Sequence, residues 1–310
     1  MSLSLDVIVP TYKRKDPLLL TLESLASATV PEAMRVTAIV VDNSSKDLTK
    51  DVVEEFRKQS LPVKVEYVLE DGGQGLSYAR NAGIRAGTGE LIGFIDDDEE
   101  IDRNWYQVIN SEFTQDPALE YMGGPYLPKW GAAAPAWLPP DYKAAVGIVE
   151  PISRAIFNRN FKGILMGGNS IIRRTTLNRV GLYSIALGRS GKKLTSEEDA
   201  EMYRRLLSDG CKGLYAPELV INHYIPAERL TKAYHRRWCF WRGVSQGILD
   251  KTEPQAVPYL AGIPRYIVGR ALKAMLRMPA TAVKNKNQLL NEELPIWDLA
   301  GFFYGKHFCP

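Results

Sequence analysis

A run of five acidic residues at positions 96–100 offers the clearest chemistry in this sequence. It directly follows the apolar residues 91–95, a pattern typical of a buried strand that ends in carboxylates. Neighbouring carboxylates repel one another unless a cation lies among them, and oxygen ligands suit a hard divalent ion such as Mg²⁺ or Mn²⁺. The run therefore predicts a divalent metal site, with a solvated acidic turn as the alternative.

The first hundred residues alternate between apolar runs and helix-forming segments. Strands are predicted at residues 5–10, 36–41, 63–69 and 91–95, and helices at 17–28, 48–59 and 76–86. This alternation predicts an α/β fold with a Rossmann-like, nucleotide-binding half, whose ligands bind beyond the carboxyl ends of the parallel strands. A further helix is predicted at 198–207. Six prolines among residues 123–151 predict a long loop or flap there.

Polar motifs lie at the predicted strand and helix ends in a distinctive order. They are Val9-Pro10-Thr11-Tyr12, Val41-Asp42-Asn43-Ser44, residues 75–83 around Arg80, Asp96-Asp97-Asp98, Gly167-Gly168-Asn169 and Ser196-Glu197-Glu198-Asp199. Over roughly residues 5–245 the chain strongly resembles the inverting family 2 glycosyltransferases of the GT-A fold, and more narrowly the bacterial enzymes that build exopolysaccharide or other surface glycans. The resemblance implies a mixed central sheet and transfer of a sugar from a nucleotide-diphosphate donor to a glycan or lipid-linked glycan.

The resemblance also implies roles for residues that would bind the nucleotide sugar. In the family pattern the last aspartate of the cluster, here Asp98, ligates the metal, and Asp96 or Asp97 orients the ribose. The nucleoside pocket would be lined by Pro10, Thr11, Tyr12 and Asp42, and the nucleotide sugar would also contact Arg14 and Asn43. Many members have an aspartate in place of Asn43, which leaves the nucleotide base open. Arg80 would bind the diphosphate, since a guanidinium is a fixed fork of donors; a surface arginine is the alternative.

Catalytic and acceptor-binding roles follow from the same resemblance. The family places its general base at a helix start, which corresponds to Glu198 and Asp199, with Asp199 preferred. Acids at that position also stabilise a helix N-terminus. His223 would complete the metal shell or be a structural histidine. Gly168 and Asn169 would approach the acceptor sugar, with a plain tight turn as the alternative.

The C-terminal part of the chain is strongly basic. Residues 229–286 hold twelve Lys or Arg against two acids, whereas residues 1–228 hold twenty-six against thirty-one. Within residues 265–278, apolar positions recur at four-residue steps, and Arg270, Lys273 and Arg277 fall on the other side. This pattern predicts an amphipathic basic helix for an anionic membrane surface. A helix packed on its own domain is the alternative, and no nucleic-acid partner is expected.

The domain organisation follows from these patterns. We expect a catalytic domain at residues 1–228, with a nucleotide-sugar half at about 1–100 and an acceptor half at about 101–228, and a helical basic region at 229–310. The N-terminus lacks a signal-peptide pattern, and three separated cysteines suggest no disulfide framework. We therefore expect a cytoplasmic enzyme, with peripheral attachment to the inner face of the cell membrane left open. A nucleotidyltransferase and a catalytically silent nucleotide- or glycan-binding module are the rival functions.

Overall fold

A computed structural model describes residues 2–188 and 196–309 of the chain. These residues form two compact units, each assembled from three stretches of sequence. The sheet unit comprises Met1–Pro128, Val149–Ala186 and Glu198–Tyr224. The helical unit comprises Lys129–Ile148, Leu187–Glu197 and Ile225–Pro310. The division of the chain at residue 228 into two functional domains stays a prediction.

The sheet unit is built on an eight-stranded mixed sheet. The described residues of this unit form eleven strands in two sheets. They are β1 (Leu3–Thr11), β2 (Met34–Asp42), β3 (Lys64–Leu69), β4 (Leu91–Phe94), β5 (Glu99–Ile101), β6 (Tyr121–Gly123), β7 (Tyr126–Trp130, which runs into the helical unit), β8 (Ala155–Phe157), β9 (Ser170–Arg173), β10 (Gly213–Tyr215) and β11 (Ile221–Ile225). The large sheet has the order β3-β2-β1-β4-β9-β6-β10-β8, and a small sheet has the order β5-β11-β7. Strands β1 to β4 are parallel where they pair, whereas β9 is antiparallel to both β4 and β6.

Six helices belong to the sheet unit. They are α1 (Lys15–Ser27), α2 (Thr49–Arg57), α3 (Leu76–Ala86), α4 (Trp105–Gln115), α5 (Arg174–Val180) and α6 (Glu198–Ser208). Successive side chains of a strand point to opposite faces, so β1 contributes Val7 and Val9 to one apolar cluster and Ile8 to the other. The predicted α/β fold with a mixed central sheet is confirmed.

The helical unit contains three long helices and a short hairpin. They are α7 (Lys232–Thr252), β12 (Tyr259–Leu260), β13 (Ile263–Pro264), α8 (Arg265–Lys284) and α9 (Leu289–Phe308). Glycines allow α7 and α9 to pack with their backbones close together. A Cβ added at Gly301 would lie 1.9 Å from the carbonyl oxygen of Phe240, and one at Gly243 would lie 2.2 Å from that of Asp298.

The predicted amphipathic helix exists as α8, but the predicted division of its faces is wrong. Ile267, Ala271 and Ala274 are its buried residues. Leu272 and Leu276, which the pattern assigned to the apolar side, are 51% and 81% exposed. Arg270, which was expected on the free basic side, forms an ion pair with the buried Asp298 of α9.

The proline-rich residues 123–151 are only partly a loop. They include β7 and a 3-10 turn, Pro140–Val146. In the part of the chain that the structure describes, no helix is long and apolar enough to cross a membrane.

Candidate active site

Two neighbouring parallel strands, β1 and β4, bring the predicted donor residues together. Because their carboxyl ends lie at the same sheet edge, Thr11 meets the acidic cluster that follows β4. The Thr11 hydroxyl donates to Oδ2 of Asp97 at 2.8 Å. Arg14 extends one nitrogen to Oδ1 of Asp97 at 2.6 Å and the other to Oδ2 of Asp98 at 3.0 Å. The acidic residues therefore form a structured site rather than a solvated turn.

The electrostatics of this edge favour positive charge beside the carboxylates. Burial raises the pKa of Asp97 to about 7, although the Arg14 charge acts in the opposite direction. Burial would lower the pKa of Arg14, but the charges of Asp97 and Asp98 outweigh it and raise that pKa. Arg14 thus neutralises a carboxylate pair that would otherwise be costly to bury.

The two predicted metal ligands, Asp98 and His223, lie side by side. Strand β11 pairs with β5, and this places Nε2 of His223 3.6 Å from Oδ2 of Asp98. Two adjacent ligands at about 2.1 Å from one octahedral ion would be about 3 Å apart, so these two atoms would have to move slightly closer together to share an ion. A carboxylate oxygen and an imidazole nitrogen are both ligands that Mn²⁺ accepts. Among the described residues, no three His, Cys, Asp or Glu side chains form a metal-binding group. Further ligands would have to come from a bound diphosphate or water.

Arg80 lies at the centre of a second charged cluster. It comes from α3, is 1% exposed, and donates to Oδ1 of Asp199 at 2.7 Å and to Oδ1 of Asp96 at 3.3 Å. Glu198 is 3.7 Å away, and the guanidinium lies 5.3 Å from the ring centre of Tyr183. Burial opposes the charge, but Asp199 and Asp96 outweigh it and raise the pKa of Arg80. The alternative of a surface arginine is therefore wrong.

The glycine pair at residues 167–168 makes room for carboxylates of this cluster. A Cβ at Gly167 would lie 2.2 Å from Oδ1 of Asp199, and one at Gly168 would lie 2.4 Å from Oε1 of Glu99. Glu99 received no role from the sequence, although it belongs to the acidic run. It is 1% exposed and accepts a hydrogen bond from the backbone N–H of Asp96 at 2.7 Å. Burial, with Asp96 and Asp98 nearby, raises its pKa well above the usual range.

The side-chain amide of Asn169 forms hydrogen bonds with other residues of the protein. Its Oδ1 accepts from the indole N–H of Trp105 at 2.9 Å, and its Nδ2 donates to the Leu219 carbonyl at 2.7 Å. These bonds fix the backbone next to Gly168. Contact of Gly168 or Asn169 with an acceptor stays a prediction.

The predicted nucleoside-binding residues lie around the ends of β1 and β2. Asp42 accepts from the Tyr67 hydroxyl and from the Ser45 backbone, both at 2.9 Å. Tyr67 was not predicted, because nothing in the sequence pairs β3 with the end of β2. Tyr12 is 37% exposed beside the buried Pro10.

Asn43 holds the glycine-rich loop that precedes α3. Its Nδ2 donates to the Gly73 carbonyl at 2.7 Å, and its Oδ1 accepts from the Gly75 backbone at 2.7 Å. Gly75 has φ of 149°, a conformation that side chains disfavour. The loop that starts the Arg80 helix is therefore tied to the end of β2.

The match of a protein-family model identifies the family of this chain. The model described as glycosyl transferase family 2 matches residues 6–181, which include the Arg14–Asp98 edge, Arg80 and the glycine pair. The chain is a family 2 glycosyltransferase. This confirms the resemblance seen in the sequence.

Two curated relatives are similar to this family 2 glycosyltransferase over most of its length. The glucosyl-dolichyl phosphate glucuronosyltransferase of Haloferax volcanii is 26% identical, over 90% of this chain and 89% of the relative. The succinoglycan biosynthesis protein ExoM of Rhizobium meliloti is 27% identical, over 80% of this chain and 75% of the relative.

Solved structures share the fold. The mannosyltransferase PcManGT from Pyrobaculum calidifontis, in complex with GDP-Man and Mn²⁺, superposes with a TM-score of 0.64 at 17% identity. The match covers 98% of this chain and 87% of that structure. Residues 1–349 of TarS from S. aureus, in complex with UDP, give a TM-score of 0.55. The predicted glycosyltransferase fold is confirmed.

Proposed function

We propose that this enzyme transfers a sugar, with inversion, from a nucleotide-diphosphate donor to a glycan or lipid-linked glycan in polysaccharide biosynthesis. The observation that carries the proposal is the pair of charged clusters in the sheet unit. One joins Asp98 and His223, and the other joins Arg80 and Asp199. The names of the two curated relatives, a glucosyl-dolichyl phosphate glucuronosyltransferase and a succinoglycan biosynthesis protein, support the acceptor class.

Donor binding is assigned to the edge formed by β1 and β4. Asp98 and His223 would hold a divalent ion, which when bound neutralises the charge of the leaving diphosphate. The Mn²⁺ and GDP-Man in the structure of PcManGT support this assignment. Arg14 is already within hydrogen-bond distance of both aspartates, so it can turn toward a phosphate when the metal replaces it.

Proton transfer is assigned to Asp199. Inversion in one displacement requires a base that takes the proton of the acceptor hydroxyl while that oxygen attacks the anomeric carbon and the bond to the diphosphate breaks. Arg80 holds Oδ1 of Asp199, whereas Oδ2 makes no hydrogen bond with any residue that the structure describes. Oδ2 is thus the atom that would receive the proton, and Glu198 would support the charge balance from the same helix start.

The proposed location is the cytoplasmic side of a membrane, with peripheral attachment through the helical unit. Leu272, Leu276 and Val283 of α8 are more than half exposed among basic residues, as in helices that lie in a lipid interface. Co-sedimentation with phosphatidylcholine vesicles that contain or lack phosphatidylglycerol tests the attachment. Equal sedimentation with both vesicle types would contradict it.

The transfer proposal is tested with a panel of nucleotide sugars, each assayed for donor hydrolysis and binding in Mn²⁺ and in EDTA. We expect one donor class to bind only with metal, and Asp98→Asn to abolish that binding with little change in thermal stability. Glu100→Gln is the matched control, because alternation along β5 points Glu100 away from the face that Glu99 shares with the site. Metal-independent binding, or full turnover by Asp98→Asn, would refute the assignment.

A further inference from the structure

The helical unit contains a large basic cavity that the proposed transfer reaction does not use. Its volume is 880 Å³, within the range of small-molecule sites. It lies between α7, α8, α9 and the 3-10 turn Pro140–Val146, and all of its lining residues belong to the helical unit. The cavity is therefore a feature of that unit alone.

Cations dominate the lining. Five lysine or arginine side chains face two carboxylates, those of Asp141 and Glu292; the five are Arg242, Arg265, Arg270, Lys273 and Arg277. Like charges this close repel one another, and a helix with Lys273 and Arg277 four residues apart is destabilised by their repulsion. An anion in the cavity would remove this cost.

Two of the cations are fixed, and three have no carboxylate partner among the described residues. Arg242 donates to Oδ1 of the buried Asp298 at 2.8 and 3.0 Å, and Arg270 binds its other oxygen. Arg265, Lys273 and Arg277 form no ion pair with any residue that the structure describes. With Asp298, Asp141 and Glu292 set against the five cations, two positive charges remain uncompensated.

The shape of α8 leaves space where these cations converge. Arg265, Lys273 and Arg277 occupy the same face at multiples of four residues, and Gly269 lies between them on that face. A Cβ added at Gly269 would meet no atom within 4 Å. Asn291 also lines the cavity, and its buried Oδ1 has no hydrogen-bond partner among the described residues. If the side-chain amide of Asn291 rotates by half a turn, its NH₂ group presents two hydrogen-bond donors to the cavity instead.

We propose that this cavity binds a phosphate or diphosphate group, as a second anion site separate from the donor site. Guanidinium forks match phosphate oxygens in pairs, and lysine adds a point charge. Arg242 is already held in position by Asp298 and by its contact with the Trp238 ring, whose centre is 5.0 Å away. The phosphate comes from a soluble ester or from a lipid headgroup; Leu272 and Leu276, exposed on the same helix, suit the lipid.

The test measures binding of inorganic pyrophosphate to the full chain in EDTA, which removes metal-dependent binding at the donor site. Lys273→Gln combined with Arg277→Gln should weaken binding by at least about tenfold, since the variant loses two cations that would form charge-assisted hydrogen bonds with the anion. Lys284→Gln combined with Lys286→Gln is the control with equal charge change, because both lysines are exposed and neither lines the cavity. Equal weakening in both double variants, or no binding by the native chain, would overturn the proposal.

Two further variants distinguish binding in the cavity from binding at the donor site. Gly269→Leu adds apolar volume to the cavity without changing charge, and it should also weaken pyrophosphate binding. Asp98→Asn should leave metal-free binding intact, so the donor site and the cavity can fail independently. Loss of binding in Asp98→Asn would place the pyrophosphate at the donor site and refute the proposal.

The source of the phosphate is resolved with vesicles of phosphatidylcholine that contain or lack phosphatidic acid, a lipid with a phosphate monoester. Binding to phosphatidic acid that is lost in the Lys273/Arg277 double variant supports a lipid headgroup. Pyrophosphate binding without that vesicle response supports a soluble phosphate ester.

Discussion

Arg80 and Asp199 are 119 positions apart in the sequence, yet their side chains form a 2.7 Å ion pair inside the sheet unit. The pair fixes Oδ1 of Asp199, and Oδ2 is the oxygen proposed to take the proton of the acceptor. It also gives Arg80 a task that the sequence did not suggest, because the guanidinium orients the proposed base and Asp96 together. In the proposed mechanism Arg80 would act as a positioning residue for Asp199, and its contact with the donor diphosphate stays a prediction.

The first prediction concerns the proposed base. Asp199→Asn should reduce sugar transfer by about 100-fold or more, the lower range of general-base contributions, and leave donor affinity nearly unchanged. Glu201→Gln is the control, because Glu201 lies in the same helical turn and pairs with Arg205. Steady-state rates and donor titrations decide, and a loss of donor binding as large as the loss of rate would assign Asp199 a structural role.

The second prediction concerns the fork of Arg80. Arg80→Lys keeps the charge but cannot bridge Asp199 and Asp96, so kcat should fall by about tenfold or more with donor affinity less affected. Arg80→Met should destabilise the protein by up to about 3–5 kcal/mol, because it leaves the buried Glu198 and the partly buried Asp199 without a cation. Arg85→Lys, at an exposed position of the same helix, should change neither quantity. Turnover and thermal unfolding are measured together; native kcat in Arg80→Lys would contradict the positioning role.

The third prediction compares two glycines of the helical unit. Gly301→Ala should lower stability by about 2–3 kcal/mol, because its Cβ would lie 1.9 Å from the Phe240 carbonyl oxygen and push α7 from α9. Gly269→Ala should raise stability by up to about 1 kcal/mol, since a helix interior favours alanine and space is open there. Melting temperatures of the two variants should therefore move in opposite directions. Equal shifts of the two melting temperatures would show that α7 and α9 pack less closely than the distance at Gly301 indicates.

The fourth prediction concerns His235, which is fully buried in α7. Burial lowers its pKa from 6.5 to about 4, and neither ring nitrogen has a hydrogen-bond partner among the described residues. Because the unfolded chain takes up the proton first, stability should be full above pH 6.5 and should fall as the pH drops toward about 4, by about 3 kcal/mol in total.

His235→Phe tests this proton linkage. Phenylalanine keeps a ring against Trp137, whose centre is 5.4 Å from that of His235, and it cannot titrate. The stability advantage of the variant over the native protein should therefore grow as the pH falls below 6.5. Unfolding free energies measured from pH 7.5 downward check this, and two parallel curves would contradict it.

The sequence predicted the elements that carry a strong local signal. Continuous apolar runs and the helices between them indicated β1 to β4 and α1 to α3, because burial on both faces of a parallel sheet requires such runs. The three-residue strands β6, β8 and β10 were not predicted, since their pairing depends on distant partners rather than on periodicity.

The sequence indicated which residues belong to the candidate site better than it indicated the contacts between them. Residue types at strand ends indicated Thr11, Asp97 and Asp98, and the structure brings them together. Nothing local indicates that Glu99 is buried. The same limit explains why the position of Arg270 was predicted wrongly. The four-residue period placed Arg270 on the free basic side of α8, but its ion-pair partner Asp298 lies on another helix. Tertiary ion pairs have no sequence period to reveal them.

The late position of β11 in the chain sets the order in which the residues of the acidic edge are synthesised. At 5–20 residues per second, His223 is synthesised roughly 6–25 s after Asp98. During that interval Arg14, which is made earlier, can already pair with Asp97 and Asp98. The acidic edge can therefore be neutralised by Arg14 in the nascent chain before β11 exists, and both ion pairs remain in the complete fold.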